Sequence, residues 1–224
     1  MLILPTTYFG PISWYRQLNS ADTCYIDTCE PFHKRTTRNR CTIATPNGPQ
    51  TLTVPVEHRG SRTTEVQGHE NCSCADGILV PSYPRTSVPP TIPITALRIS
   101  EHNKWRHVHW QALETAYGNS PFFDYYVDDI RPFFEPNWEY LFDLNLAIIR
   151  KMCELLQVET NVLRSEERGV RSEISAETYL TPRSSLLAPQ KKYYQVHAHR
   201  TGFLSDLSIL DLLFNMGNES ILYL

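Results

Sequence analysis

LILPTTYFGPISWYRQLNSADTCYIDTCEPFHKRTTRNRCTI, residues 2–43, is the stretch whose reading decides the fold. Leu2 to Leu4 is a short apolar run. Pro5, Tyr8, Phe9, Gly10 and Pro11 interrupt it, and Ile12, Tyr15 and Leu18 then recur at helical spacing. A second apolar run, Cys24 to Ile26, lies between Asp22 and Asp27. The order strand, tight loop, helix, strand predicts the opening of an α/β sheet. Directly after the second strand come Lys34, Arg35, Arg38 and Arg40, with His33 as a fifth cation when protonated. In an α/β sheet, ligands bind beyond the carboxyl ends of the strands, so this loop is expected to meet a small anion. Phosphate suits it, because Arg offers a bidentate fork and Lys a point charge. The plainer reading is a solvated loop whose charges keep the protein soluble.

Working outward, the whole chain limits what the ligand can be. Its 224 residues suffice for one substantial core, and 41% apolar with 20% charged residues is ordinary globular composition. A net charge of −3 argues against a general nucleic-acid or anionic-membrane binder, which needs an excess of Lys and Arg over its binding face. The N-terminus lacks the pattern of a secretory signal, and no apolar run approaches membrane-spanning length; a cytoplasmic location is expected. The 6 cysteines show no regular framework and read as free thiols. No cofactor is indicated, and oligomeric state is not readable.

Thr45-Pro-Asn-Gly-Pro49 predicts a turn, and Leu52, Val54 and Val56 alternate as a half-buried strand should. Residues 58–93 then lose periodicity and gather prolines, which predicts a long loop insertion in a single domain spanning 1–224. His69, Cys72 and Cys74 lie within it, but Cys-x-Cys with one upstream His has no second pair to complete a zinc site. Ile94 to Ile99 alternates and is expected to pair with Leu52 to Val56. A helix capped by Asn103 and stopped at Gly118 carries Trp105, His109, Leu113 and Tyr117 on one face. An aromatic-rich segment, Phe122 to Phe134, precedes the longest helix, Trp138 to about Leu156. Val162-Leu163 suggests a short strand, Tyr193 to Val196 a last one, and a helix from Leu207 to Met216, capped by Ser205, closes at Gly217.

Three polar residues sit on faces that should be buried. His109 is on the apolar stripe of its helix, where a histidine is either a hydrogen-bonded core residue or, beside a pocket, an acid–base group. Asn145 lies within the stripe of the longest helix, and its amide needs partners because an unsatisfied one costs roughly 1–3 kcal/mol. Asp211 lies in the middle of a helix apolar on nearly every side. A carboxylate there requires a cation or several donors, and the basic loop is the expected supplier, for structural or catalytic reasons.

With these residues in view, the chain resembles the WbqC-like family of bacterial proteins. The resemblance is carried by LPTTYFGPISWY at the start, DTCEPFHKRTTRNRCTI followed by TPNGPQTLTVPV, the Trp105, His109, Tyr117 helix face with Pro121 and Tyr126, Asn145, and the ending YYQVHAHRTGFLSDLSILDLLFNMG. It implies a transferase of surface-polysaccharide biosynthesis, moving an acyl or glycyl group to an amino sugar. On that basis His109 and Asp211 are expected to be catalytic. Tyr8, Lys34, Arg35, Asn39, Arg40, Asn145 and Gln195 are expected to bind a phosphate-bearing substrate, with no metal. A Gly-rich segment of longer members is missing between Glu159 and Gln190, which marks a short branch. The fold expected is a single α/β domain, its sheet mixed or mostly parallel and flanked by helices. The competing functional reading is a binding module without turnover, for an anionic sugar nucleotide or a pathway partner. A third is a buried ion network with no ligand.

Overall fold

Residues 2–33, 35–57, 92–165 and 190–224 are described by the structure, a computed structural model. Strand β1 (Leu2–Leu4), helix α1 (Ile12–Asn19) and strand β2 (Thr23–Ile26) form a βαβ unit. The two strands run parallel, with Leu2, Ile3 and Leu4 opposite Cys24, Tyr25 and Ile26. Parallel neighbours cannot be joined by a tight hairpin, and α1 supplies the crossover. Helix α1 packs inward through Ile12, Tyr15 and Leu18, the residues its spacing places on one face. Strand β5 (Asn161–Arg164) adds, also parallel, to the other side of β2. Cys24, Tyr25 and Ile26 are consequently all buried, the run of apolar residues that a central parallel strand requires.

A separate antiparallel hairpin, β3 (Arg40–Thr45) and β4 (Gly48–Thr53), turns at Pro46-Asn47. Gly48 follows with φ 112°, a conformation that favours glycine. Cys41, Ile43 and Leu52 face the core, while Arg40, Thr42 and Thr51 stand on the outer side. The fold is thus mixed α/β, with one parallel and one antiparallel sheet among the described residues.

Helices α2 (Trp105–Tyr117), α3 (Phe123–Ile130), α4 (Leu141–Leu155), α5 (Ala198–Thr201) and α6 (Ile209–Met216) flank these sheets. Helix α4 buries Leu141, Leu144, Ile148 and Met152 as its pattern predicts, and α6 is buried on every side from Ile209 to Phe214. Among the described residues no helix is long and apolar enough to cross a membrane.

Several boundaries differ from the sequence reading. Ile94–Ala96 is a 3-10 turn after Pro93, and the expected pairing with the hairpin shrinks to one bridge between Val56 and Ile99. Ile94, Leu97 and Ile99 are buried, so the apolar pattern marks docking to the core and not a strand. Asn103 does not cap α2: Asn103 and Lys104 take φ 61° and 48°, and the helix begins at Trp105. Phe122 to Phe134 contains α3 and a 3-10 turn, and the longest helix starts at Leu141. Tyr193 to Val196 is not a strand; the Val196 N–H donates to Asn215 Oδ1 at 3.1 Å instead of to a neighbouring strand. The last helix is capped by Ser208, whose hydroxyl accepts from the Leu210 N–H, and not by Ser205. Lys34, residues 58–91 of the expected insertion with His69, Cys72 and Cys74, and residues 166–189 lie outside the described residues.

Candidate functional site

The starts of α1 and α6 are locked together. Ile12 N–H donates to Leu207 O at 3.0 Å, Ile209 N–H to Gly10 O at 2.9 Å, and Ser208 N–H to Thr42 O at 2.8 Å. Where these helix starts meet the outer face of the hairpin there is a cavity of about 330 Å³, at the lower end of the usual range for ligand sites. The hairpin contributes Arg40, Cys41, Thr42 and Thr51; the loop before it contributes Arg35, Thr36 and Thr37; Pro11, Asp206 and Ser208 complete the wall. The N–H groups of Ile209 and Leu210 at the start of α6 already have acceptors. Charge recognition in the cavity therefore falls to side chains. Arg40 Nε is enclosed without an acceptor among the described residues, and a buried donor left so is costly.

The loop that carries Arg35 and Arg40 is pinned from inside. Thr37 O accepts from the Tyr8 N–H at 2.9 Å and the Thr7 hydroxyl at 3.1 Å. Arg38, 4% exposed, donates from Nε at 2.9 Å and from Nη2 to Glu30 Oε2, whose other oxygen accepts the Thr6 N–H at 3.0 Å. Asn145 Nδ2 donates to Arg38 O at 2.7 Å, and Asn39 Nδ2 to Val54 O at 3.0 Å. Burial, with a smaller push from Asp27, raises the Glu30 carboxyl to about 7, against the downward pull of Arg38 and the Thr6 N–H. Glu30 went unnoticed in the sequence, where a lone Glu between Cys29 and Pro31 carries no periodic signal.

His109 and Tyr8 meet: the Tyr8 hydroxyl lies 3.0 Å from His109 Nδ1. His109 is 3% exposed and does not line the cavity. Burial lowers its pKa to about 4, and a hydrogen bond to the Thr53 main chain only partly restores it. The ring is neutral at pH 7, bonded on one side to a phenol and on the other to the hairpin backbone. A base whose folded pKa lies below its unfolded value of 6.5 contributes stability that is intact above pH 6.5 and lost as pH falls toward 4. We expect about 2–3 kcal/mol of this loss by pH 4.5. Urea denaturation of wild type and His109→Gln at pH 7.5 and 4.5 checks it. The variant should gain on wild type by that amount at the lower pH, and an unchanged difference refutes it.

Asp211, fully buried, finds no cation among the described residues of the basic loop. Its Oδ1 accepts from the Tyr117 hydroxyl at 2.9 Å, and its Oδ2 from the Tyr193 hydroxyl at 2.5 Å and Gln195 Nε2 at 3.2 Å. Two phenols and an amide thus do what a guanidinium was expected to do. Gln195 also spans Leu204, donating to its carbonyl and accepting from its N–H. The Tyr117 hydroxyl accepts from the Ala44 N–H, which ties the network to the hairpin. Burial raises the Asp211 pKa, and the three donors pull it back down.

The nine sequence-chosen residues therefore separate. Arg35 and Arg40 share the cavity; Tyr8 and His109 pair at the core side of the hairpin; Asn39 and Asn145 brace the loop; Gln195 and Asp211 form a network of their own. Lys34 is outside the described residues. Asp206 of the cavity wall was missed, because nothing in the SDLS run distinguishes it from a helix-capping position. Cys41 borders the cavity, but burial raises its thiol pKa far above neutral, which suits an inert thiol. Among the described residues no group of three or more His, Cys, Asp or Glu gathers as metal ligands would.

A family model described as the WbqC-like protein family matches residues 6–73 and 85–186. An uncharacterized protein of Mycobacterium tuberculosis (strain ATCC 25618 / H37Rv), Rv1507c, is 25% identical over 221 residues, covering 86% of this chain and 83% of that one. No solved structure matches. The two family-matched segments include β1's following loop, both arginines of the cavity, the hairpin and α2 to α4, and the chain belongs to the WbqC-like protein family.

Proposed function

We propose that the cavity at the hairpin is an anion-binding site, and that the protein is a transferase of surface-polysaccharide biosynthesis acting on an activated amino sugar or an acyl donor. The observation that carries the anion reading is Arg40, a permanently cationic residue in the cavity wall whose Nε, enclosed behind that wall, has no acceptor among the described residues. Arg35 adds a second guanidinium to the wall, and Thr37, Thr42 and Thr51 add residues with a neutral donor of the kind a tetrahedral oxyanion accepts, whereas the Thr36 hydroxyl is already committed to the His33 carbonyl at 2.9 Å. The transferase reading rests on the family.

A specific observation favours a second reading, a binding module without turnover. His109 and Asp211, the expected proton-transfer pair, are enclosed in hydrogen bonds and absent from the cavity wall. A neutral imidazole with pKa about 4 is a weak base at pH 7.

Thermal-shift and calorimetric titration of wild type and Arg40→Ala with inorganic phosphate and nucleotide-linked amino sugars tests the anion site. A ligand at 100 times its Kd adds about 2.7 kcal/mol of stability. We expect that gain in wild type and its loss in a folded Arg40→Ala. Equal binding by both proteins refutes the site. Turnover of a bound amino sugar with an acyl donor separates the transferase from the binding module.

A further inference from the structure

The cavity carries charge of both signs. Asp206 shares its wall with Arg35 and Arg40, yet among the described residues no ion pair joins Asp206 to either guanidinium. Opposite charges that border one cavity without touching leave room for a ligand that meets both. The Asp206 carboxylate is held in place: Oδ1 accepts the Ser13 N–H at 2.9 Å and Oδ2 the Ser13 hydroxyl at 3.0 Å. A carboxylate oxygen has two acceptor sites, so one on each oxygen remains open. The main chain holds it too, since the Asp206 N–H donates to Gln190 Oε1 at 2.7 Å. Asp206 and Arg35 both take left-handed backbone, φ 55° and 63°. Non-glycine residues keep that conformation only where the surroundings fix it.

We propose that the ligand carries a primary ammonium group as well as an anionic group, with the anion on Arg40 and Arg35 and the ammonium on Asp206. This rests on the anion-site reading and adds to it the residue that selects an amine, Asp206. A purely anionic ligand would set its charge beside a fixed carboxylate. An ammonium fills the open acceptor sites and cancels that repulsion, and a charge-assisted hydrogen bond of this kind is among the stronger ones. Amino-sugar phosphates and amino acids share the chemistry, and the probes distinguish them.

The experiment is calorimetric titration of the full chain with two matched pairs, glucosamine 6-phosphate against glucose 6-phosphate and glycine against glycolate. In each pair only the amine is exchanged for a hydroxyl. We expect the amine to bind about tenfold tighter in at least one pair, and the pair that responds identifies the source. Asp206→Asn, which keeps an oxygen for Ser13, should erase the preference while still binding inorganic phosphate. Equal affinities within both pairs overturn the ammonium proposal while phosphate binding leaves the anion site standing. No binding of inorganic phosphate or any probe overturns both. If Asp206→Asn does not fold, the matched pairs on wild type decide alone.

Discussion

Asp211→Ala is expected to lower the free energy of unfolding by about 3–5 kcal/mol. The substitution removes the acceptor shared by the Tyr117 and Tyr193 hydroxyls and by Gln195 Nε2. Each buried donor left without a partner costs about 1–3 kcal/mol. Gln195 Nε2 retains the Leu204 carbonyl at 2.8 Å, so the two phenols dominate. Both phenols have pKa values pushed up by burial, and neither can relieve the loss by ionising at neutral pH. Tyr193→Phe, which removes one donor and leaves the carboxylate two, should cost about 1 kcal/mol. Because the Asp211 pKa is raised, the carboxyl's contribution is fullest at low pH and is lost as pH rises through its folded pKa. Urea denaturation at pH 7 measures the difference. A cost for Asp211→Ala below that of Tyr193→Phe would mean that the network holds nothing together.

The second large effect belongs to Arg38. Arg38→Met keeps most of the side-chain volume and leaves Glu30 buried without its cation, which costs about 3–5 kcal/mol at pH 8. Adding Glu30→Gln should recover most of it, since the amide oxygen still accepts the Thr6 N–H and no buried charge remains. The pH dependence has a definite sign. Glu30 is raised from 4.5 to about 7, so its contribution to stability is full below pH 4.5 and is lost as pH rises through 7. That span amounts to about 3 kcal/mol. His109 acts in the opposite sense between pH 6.5 and 4, and the two largely offset one another in wild type. The Arg38→Met/Glu30→Gln pair should therefore lose more stability toward acid than wild type does. Denaturation at pH 4.5, 6 and 8 reads it, and a double variant with the same pH profile as wild type would be evidence against the Glu30 assignment. The same loop carries Arg35 and Arg40, so Arg38→Met should also weaken any anion bound in the cavity.

Local pattern alone gave the parallel opening of the fold. Apolar runs at Leu2 to Leu4 and Cys24 to Ile26, separated by an amphipathic eight-residue helix, leave few topologies besides βαβ, and Val162-Leu163 was short but correctly a strand. The buried faces of α2, α4 and α6 followed from spacing in the same way. Spacing misled where apolar residues were buried by tertiary docking, as at Ile94 to Ile99, because alternation reports which side faces the core and not whether a strand lies beside it.

The polar residues divide along the same line. That Asn145, His109 and Asp211 are buried was determined by the sequence, since each lies on an apolar helix face and desolvation follows from that position. What satisfies them was decided only by the tertiary structure. Asp211 takes hydroxyls from residues 94 and 18 positions away, and Asn145 braces a carbonyl 107 positions away. Arg38 is taken out of the basic cluster by Glu30, while Arg40 is left facing the cavity with Asp206. A sequence shows how many charges a loop carries. Which of them is neutralised depends on distances of a few ångströms between segments far apart in the chain, because hydrogen bonds and buried charge pairs act only at that range.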